Sequence, residues 1–133
     1  MSSTLQQSAD LVFMVRPASF GFNAETAGSN AFQQAQRAVP ADANSTAVRE
    51  FDSFVRQLRA EGVEVLVAED SAPPQRPDAI FPNNWVSFHA DGTLVLYPML
   101  AANRRLERRP ELLDWVLERS GFQVRRKIGR AHV

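Results

Sequence analysis

Pro77-Asp78-Ala79-Ile80-Phe81-Pro82-Asn83-Asn84-Trp85-Val86-Ser87-Phe88-His89 is the densest polar constellation in the chain, and it runs directly into a strand. One carboxylate, two adjacent amides, an indole, a hydroxyl and an imidazole fall within these thirteen residues. Pro77 and Pro82 brace it, because proline fixes its own φ and drives the preceding residue toward extended conformations. Phe81 to Asn84 is therefore expected to form a rigid extended turn and not a helix. Side chains of the following strand alternate, which puts Trp85, Ser87 and His89 on one face and Val86 and Phe88 on the other. A polar turn held at the mouth of a strand can orient a small polar ligand. The same residues also suit an ordinary loop in which the Asn side chains close Asx-turns, and physics alone leaves both readings open.

Downstream, Asp91-Gly92 separates two strand-like runs, Trp85 to Ala90 and Thr93 to Tyr97, which is a hairpin signal. Pro98 ends the second strand or marks a sheet edge. Arg104, Arg105, Arg108 and Arg109 have acids close by and no interleaved aromatics, so they read as a solvated face. Pro110 suits a first helical turn. Leu112, Leu113, Val116 and Leu117 continue an apolar stripe to about Arg119, and Gly121 fits the C′ position. Phe122 to Ile128 reads as a strand with one charged face, as at a sheet edge.

Upstream, Ser71 to Arg76 is a Pro-rich connector and Val63 to Ala68 a strand. Asn44 to Glu61 is the clearest helix, with Val48, Phe51, Phe54, Val55 and Leu58 as its stripe, Asn44 or Ser45 as cap and Gly62 at C′. Leu11 to Val15 is an apolar run without alternation, expected to be a strand covered on both faces. Between it and the helix lies a long Gly- and amide-rich loop carrying Phe20 and Phe22, with a short helix expected near Ala31 to Arg37. A loop of this length in a compact domain is either functional or a disordered insertion, and Phe20 and Phe22, poor residues for a disordered segment, tip the reading to function. The two halves repeat one order: strand, connection, amphipathic helix, glycine, strand. The Phe20 to Asn30 loop is an insertion in the first. Such a repeat implies stacked modules, and two are too few to close an architecture of that kind.

The chain has 133 residues, 44% of them apolar, which fits one α/β domain with a real core. Fifteen basic and fifteen acidic residues cancel, so no global field draws nucleic acid or membrane toward it. No cysteine is present, which excludes disulfides and thiolate ligands within these residues, and His89 and His132 are too few for a His-based metal site. No metal or cofactor is expected. No apolar run reaches membrane-spanning length and the N-terminus shows no signal pattern, so a cytoplasmic location is the expectation. Residues 1–10 are expected to be disordered, 11–128 to form the folded portion, and 129–133 to be an atypical tail at a truncation.

Met14-Val15-Arg16-Pro17, Phe20-Gly21-Phe22-Asn23, Glu25-Thr26 and Asn30, taken with Asp78 to His89 and with Gly92-Thr93 and Leu96-Tyr97-Pro98-Met99, resemble the N-terminal half of the amidinotransferase or arginine deiminase (pentein) superfamily. The look is most similar to the citrulline-utilisation hydrolase group and spans about residues 11 to 128. The resemblance implies an α/β propeller built of ββαβ blades, of which this chain would hold about two. It implies attack by a cysteine on a guanidino or ureido carbon, with a histidine as acid and base and carboxylates on the planar cation. Neither that histidine nor that cysteine has a match in this sequence, and His132 receives no role. His89 is expected to be structural and Trp85 to be core or pocket wall.

By the same resemblance the substrate contacts of this half are Asp78, Asn84, Asn83, Asn23 and Asn30. Arginine deiminases have an Arg-Asp pair where this chain has Asn83-Asn84; succinylarginine dihydrolases look more similar there. An amide oxygen can accept from a guanidinium N–H but supplies no charge, so binding would lean on Asp78. The implied partner is a small guanidino or ureido molecule, with a downstream segment or a second copy covering the open sheet edge. A non-catalytic guanidino-binding module is the alternative.

Overall fold

The computed structural model describes residues 9–26 and 41–129. Asn30, the helix expected near Ala31 to Arg37, His132, residues 1–8 of the expected disordered segment and residues 130–133 of the tail lie outside these. β1 (Leu11–Arg16) leads through the loop to α1 (Ala43–Ala60) and then β2 (Glu64–Glu69). A short 3-10 turn (Pro82–Asn84) precedes β3 (Val86–Phe88) and β4 (Thr93–Leu96). A single helical turn, α2 (Ala102–Arg105), then α3 (Pro110–Ser120) and β5 (Arg126–Ile128) complete the order.

The first unit is a βαβ crossover in which β1 and β2 pair in parallel, Leu11 opposite Glu64 and Arg16 opposite Glu69. The second is ββαβ: β3 and β4 form an antiparallel hairpin, and β5 returns parallel to β4. The repeat legible in the sequence is therefore real at the level of element order, and the chain is α/β with two small sheets. Gly92 turns the hairpin at φ 88° and Gly121 ends α3 at φ 71°, left-handed values that a side chain opposes.

Apolar β1 is explained by two layers of packing. Val12 and Met14 pack in one cluster with Phe51 and Val55 of α1 and Val65 of β2. Val15 and Ala68, with Phe13 against them, face the larger core of Trp85, Val86, Leu94, Leu96, Leu112 and Leu113. That core draws on both halves, so the first sheet is the wall they share. Phe54 departs from its expected place in the α1 stripe: it is 52% exposed, at the stripe's edge. Asn44 does not cap α1; its Oδ1 instead accepts from the Phe20 amide at 2.7 Å, tying the loop to the helix. Arg16 forks onto both Asp52 oxygens at 3.0 Å, joining the end of β1 to α1 and holding the Asp52 carboxyl below the ordinary range. The last strand is shorter than expected: only Arg126–Ile128 pair, and Phe122 leaves the ladder to pack edge-on against Phe88 at 5.3 Å.

Phe51 is 4% and Leu113 6% exposed. Phe51→Ala and Leu113→Ala are each expected to lower the unfolding free energy by about 2–5 kcal/mol. Phe54→Ala is expected to stay within about 0.5 kcal/mol. Denaturant midpoints of the three variants check this ordering.

Candidate functional site

The Asp78 to His89 motif begins with two tight turns. The Asp78 carbonyl accepts from the Phe81 amide at 3.0 Å, the Phe81 carbonyl from Asn84 at 3.1 Å, and the Pro82 carbonyl from Trp85 at 3.0 Å. The expected extended turn is thus corrected to a 3-10 turn. Phe81, ahead of proline, does stay non-helical at φ −112°, ψ 61°. Pro82, however, occupies the first helical position, where its fixed φ and missing N–H cost nothing. Trp85, at φ −122°, ψ −11°, closes this turn. Its indole enters the core at 2% exposure and does not share the face of Ser87 and His89. Those two do meet: Ser87 Oγ lies 2.9 Å from His89 Nε2 and 2.9 Å from the Tyr97 hydroxyl, on the exposed side of the hairpin.

Asp78 is buried at the centre of a polar network. Asn23 Nδ2 donates to Asp78 Oδ2 at 2.8 Å. The Asn23 Oδ1 accepts from the Glu25 amide at 3.0 Å and from Asn103 Nδ2 at 2.8 Å. Glu25 in turn accepts from the Asn103 amide at 3.0 Å. Arg104 approaches from α2. Its Nε is 3.8 Å from Asp78 Oδ2, its Nη2 3.4 Å from the Asp78 carbonyl, and its Nη1 donates to Asn84 Oδ1 at 2.9 Å. Glu107 grips the same guanidinium with both oxygens, each at 2.9 Å.

This interior is crowded with charge. Burial pushes the Glu107 carboxyl above its ordinary value; the Arg104 fork opposes the rise, and the Asp78 and Asp70 carboxylates add to it. Burial likewise lowers the Arg108 guanidinium. Next to the network, the Asp70 side chain is fully buried, bonded by Arg76 Nη1 at 3.0 Å and approached by Arg109 Nη2 at 3.7 Å. Arg76 also bonds the Leu106 and Ser71 carbonyls.

Asn23, Asp78 and Asn84 therefore converge, with Arg104 between them. Asn83 is exposed, and its side chain makes no hydrogen bond among the described residues. Asn103, Arg104 and Glu107 are the members that sequence reasoning missed. The expected solvated face is corrected for two of its arginines, since Arg104 keeps only 12% of its side chain exposed and Arg108 is buried, whereas Arg105 is exposed. The three-residue spacing of Arg104 and Glu107, ordinary for an ion pair on a helical turn, was the available signal. Among the described residues no group of three acidic or histidine side chains is placed to hold a metal ion, and no helix is long and apolar enough to cross a membrane.

Asn23→Ala removes the hydrogen bond to the buried Asp78 Oδ2 and the acceptor of the half-buried Asn103 amide, and it is expected to cost about 1–3 kcal/mol in unfolding free energy, read by denaturant titration. Glu107 supplies a pH signature. Because its folded-state value is raised, its contribution is complete below the ordinary 4.5 and is lost as pH rises through the folded value. Melting temperatures of wild type minus Glu107→Gln are accordingly expected to fall as pH is raised above that ordinary value.

The family model described as N,N dimethylarginine dimethylhydrolase, eukaryotic, matches residues 16–129. Neither a curated protein nor a solved structure matches the chain. The matched span begins at the last residue of β1 and ends just past β5, so it takes in the loop, the Asp78 motif and the Arg104 turn together. The chain belongs to the dimethylarginine dimethylhydrolase family of the pentein superfamily.

Proposed function

We propose that this chain is the head-group-gripping part of an enzyme that modifies the guanidino or ureido group of an arginine derivative. The family match over residues 16–129 carries the reading. The site supports it through Asp78: its Oδ2 is fixed by Asn23, while its Oδ1 takes no hydrogen bond among the described residues. A carboxylate held in this way is pre-set to receive an N–H of a flat polar head group. Asn83 and Asn84 form the adjoining exposed rim and Asn23 positions Asp78 from behind; Asn30 is proposed as a contact on the family likeness alone.

The chemistry proposed is that of the family likeness. A thiolate adds to the guanidino or ureido carbon, the C–N bond to the leaving amine breaks, and a histidine protonates that amine. Water then releases the adduct, or an amine does so in a transferase. No residue of this sequence is a cysteine, so the thiolate comes from outside these 133 residues. In the same reading, the βαβ and ββαβ units are leading blades of an α/β propeller, and the likeness of the Phe81 to His89 motif is what supports a relation to the citrulline-utilisation hydrolases. The absence of cysteine favours a second reading, a guanidino-binding module without turnover.

The purified chain is expected to bind arginine or citrulline in calorimetry yet release no ammonia from either. Asp78→Ala, folded by circular dichroism, is expected to lose that binding. Ammonia release by the chain alone, or undiminished binding by the variant, contradicts the proposal.

A further inference from the structure

Asn23 uses the whole of its side-chain amide. Its Nδ2 donates to Asp78 Oδ2 at 2.8 Å and to Asn103 Oδ1 at 3.2 Å. Its Oδ1 accepts from the Glu25 backbone amide at 3.0 Å and from Asn103 Nδ2 at 2.8 Å. Two of these partners fix the orientation. An ionised carboxylate only accepts and a backbone N–H only donates, so Nδ2 faces Asp78 and Oδ1 faces Glu25. Asn103 is fixed in turn, and the two side chains form a reciprocal amide pair. The Asn103 backbone amide donates to Glu25 Oε1 at 3.0 Å, which ties the same residue to the loop a second time.

We infer that Asn103 is a positioning residue for the head-group site: its reciprocal pair with Asn23 keeps the Asn23 N–H2 on Asp78 Oδ2 and thereby leaves Oδ1 as the oxygen that meets a guanidinium. The inference rests on the proposed function, whose site it refines. The competitor for Asp78 is internal. Arg104 Nε lies 3.8 Å from Asp78 Oδ2, just beyond hydrogen-bond reach. A carboxylate released by Asn23 would turn toward that cation, and a ligand guanidinium would then have to displace it. Asn103 opposes this at one remove. Its two bonds hold the plane of the Asn23 amide, and its donation to Oδ1 strengthens Nδ2 as a donor. Its side chain bonds to Asn23 and not to Asp78, so its effect on a ligand passes through Asn23.

Calorimetry of arginine binding to the 133-residue chain, with each variant compared to wild type at the same pH, is the test. Asn103→Ala deletes both bonds of the pair and is expected to raise the dissociation constant about fivefold, by a factor that does not change with pH. Asn103→Asp carries a sharper signature. Ionised, it offers two acceptors and no donor, so one oxygen opposes Asn23 Oδ1, and the constant is expected to rise at least as much. Coulomb attraction alone acts the other way, since an added carboxylate favours a cationic ligand. Protonated, the same carboxyl has one O–H and one C=O, the donor and acceptor of the lost amide. The Glu25 and Asp78 carboxylates favour that proton and Arg104, in the same turn, opposes it. The ratio of variant to wild type is therefore expected to fall as pH is lowered from about 7 toward the ordinary aspartate value near 4. Tighter binding by Asn103→Asp at neutral pH, a ratio for it that does not move with pH, or an Asn103→Ala chain that binds as wild type does overturns the inference while leaving the proposed function standing. A wild type that binds no arginine overturns the functional reading and the ligand half of this inference with it. The pairing half is read on the ligand-free wild type, whether or not the variants fold. The Asn23 side-chain N–H2 protons are expected to exchange with solvent far more slowly than those of exposed Asn83, and equal rates overturn it.

Discussion

A carboxylate removed from water must be met by donors, or the fold that buries it is lost. Asp78 imposes that condition here. Its Oδ2 is satisfied by the amide of Asn23, from the loop after β1, and approached by Arg104, from the turn before α3. Three segments distant in sequence thereby share one polar centre. Asn23 is only 1% exposed, and its oxygen is shared by Glu25 and Asn103, so the segment around Asn23 cannot move without breaking several bonds together. The apolar wall of β1 and β2 brings the two halves into contact, but it has no direction of its own. The Asp78 centre supplies the direction.

The same centre ties structure to chemistry. Arg104 is an internal guanidinium, and it is held by a carboxylate fork, a backbone carbonyl and an amide oxygen, the groups that guanidinium recognition calls for. The site residues therefore carry two duties. Their inward atoms grip Arg104 and Asn23, and the proposed ligand contacts fall to the atoms that remain. Glu107, raised by burial and by its acidic neighbours, completes the charge balance around Arg104 from the side away from solvent.

Much of this was legible in the sequence, and the departures share a cause. The α1 and α3 helices, the Asp91-Gly92 hairpin, the glycine stops and the repeat of strand, helix and strand all follow from periodicity and turn chemistry. Leu11 to Val15 read as a doubly covered strand because nothing in it was polar, and the two packing layers supply the reason. The errors lie where tertiary partners override local rules. Pro82 suits a helical first position as well as an extended one, and the Phe81 and Asn84 amides found carbonyls within the turn. Trp85 followed the core and not the strand alternation. Arg104 and Arg108 looked like surface because composition cannot reveal that Asp78, Asp70 and Glu107 gather beneath them. Of the site, Asp78, Asn84 and Asn23 came from the motif likeness. Asn103 and Glu107 lay in a stretch whose charges appeared balanced and therefore uninteresting.

The central claim is that the Asp78 centre holds an outward rim for a flat polar head group. Amide chemical-shift mapping of the chain during titration with arginine and with citrulline tests it most directly. The account predicts saturable shifts confined to Asn23, Asp78, Asn83, Asn84 and the Arg104 turn. Shifts scattered over α1 and β5, or none at the Asp78 motif, would contradict it.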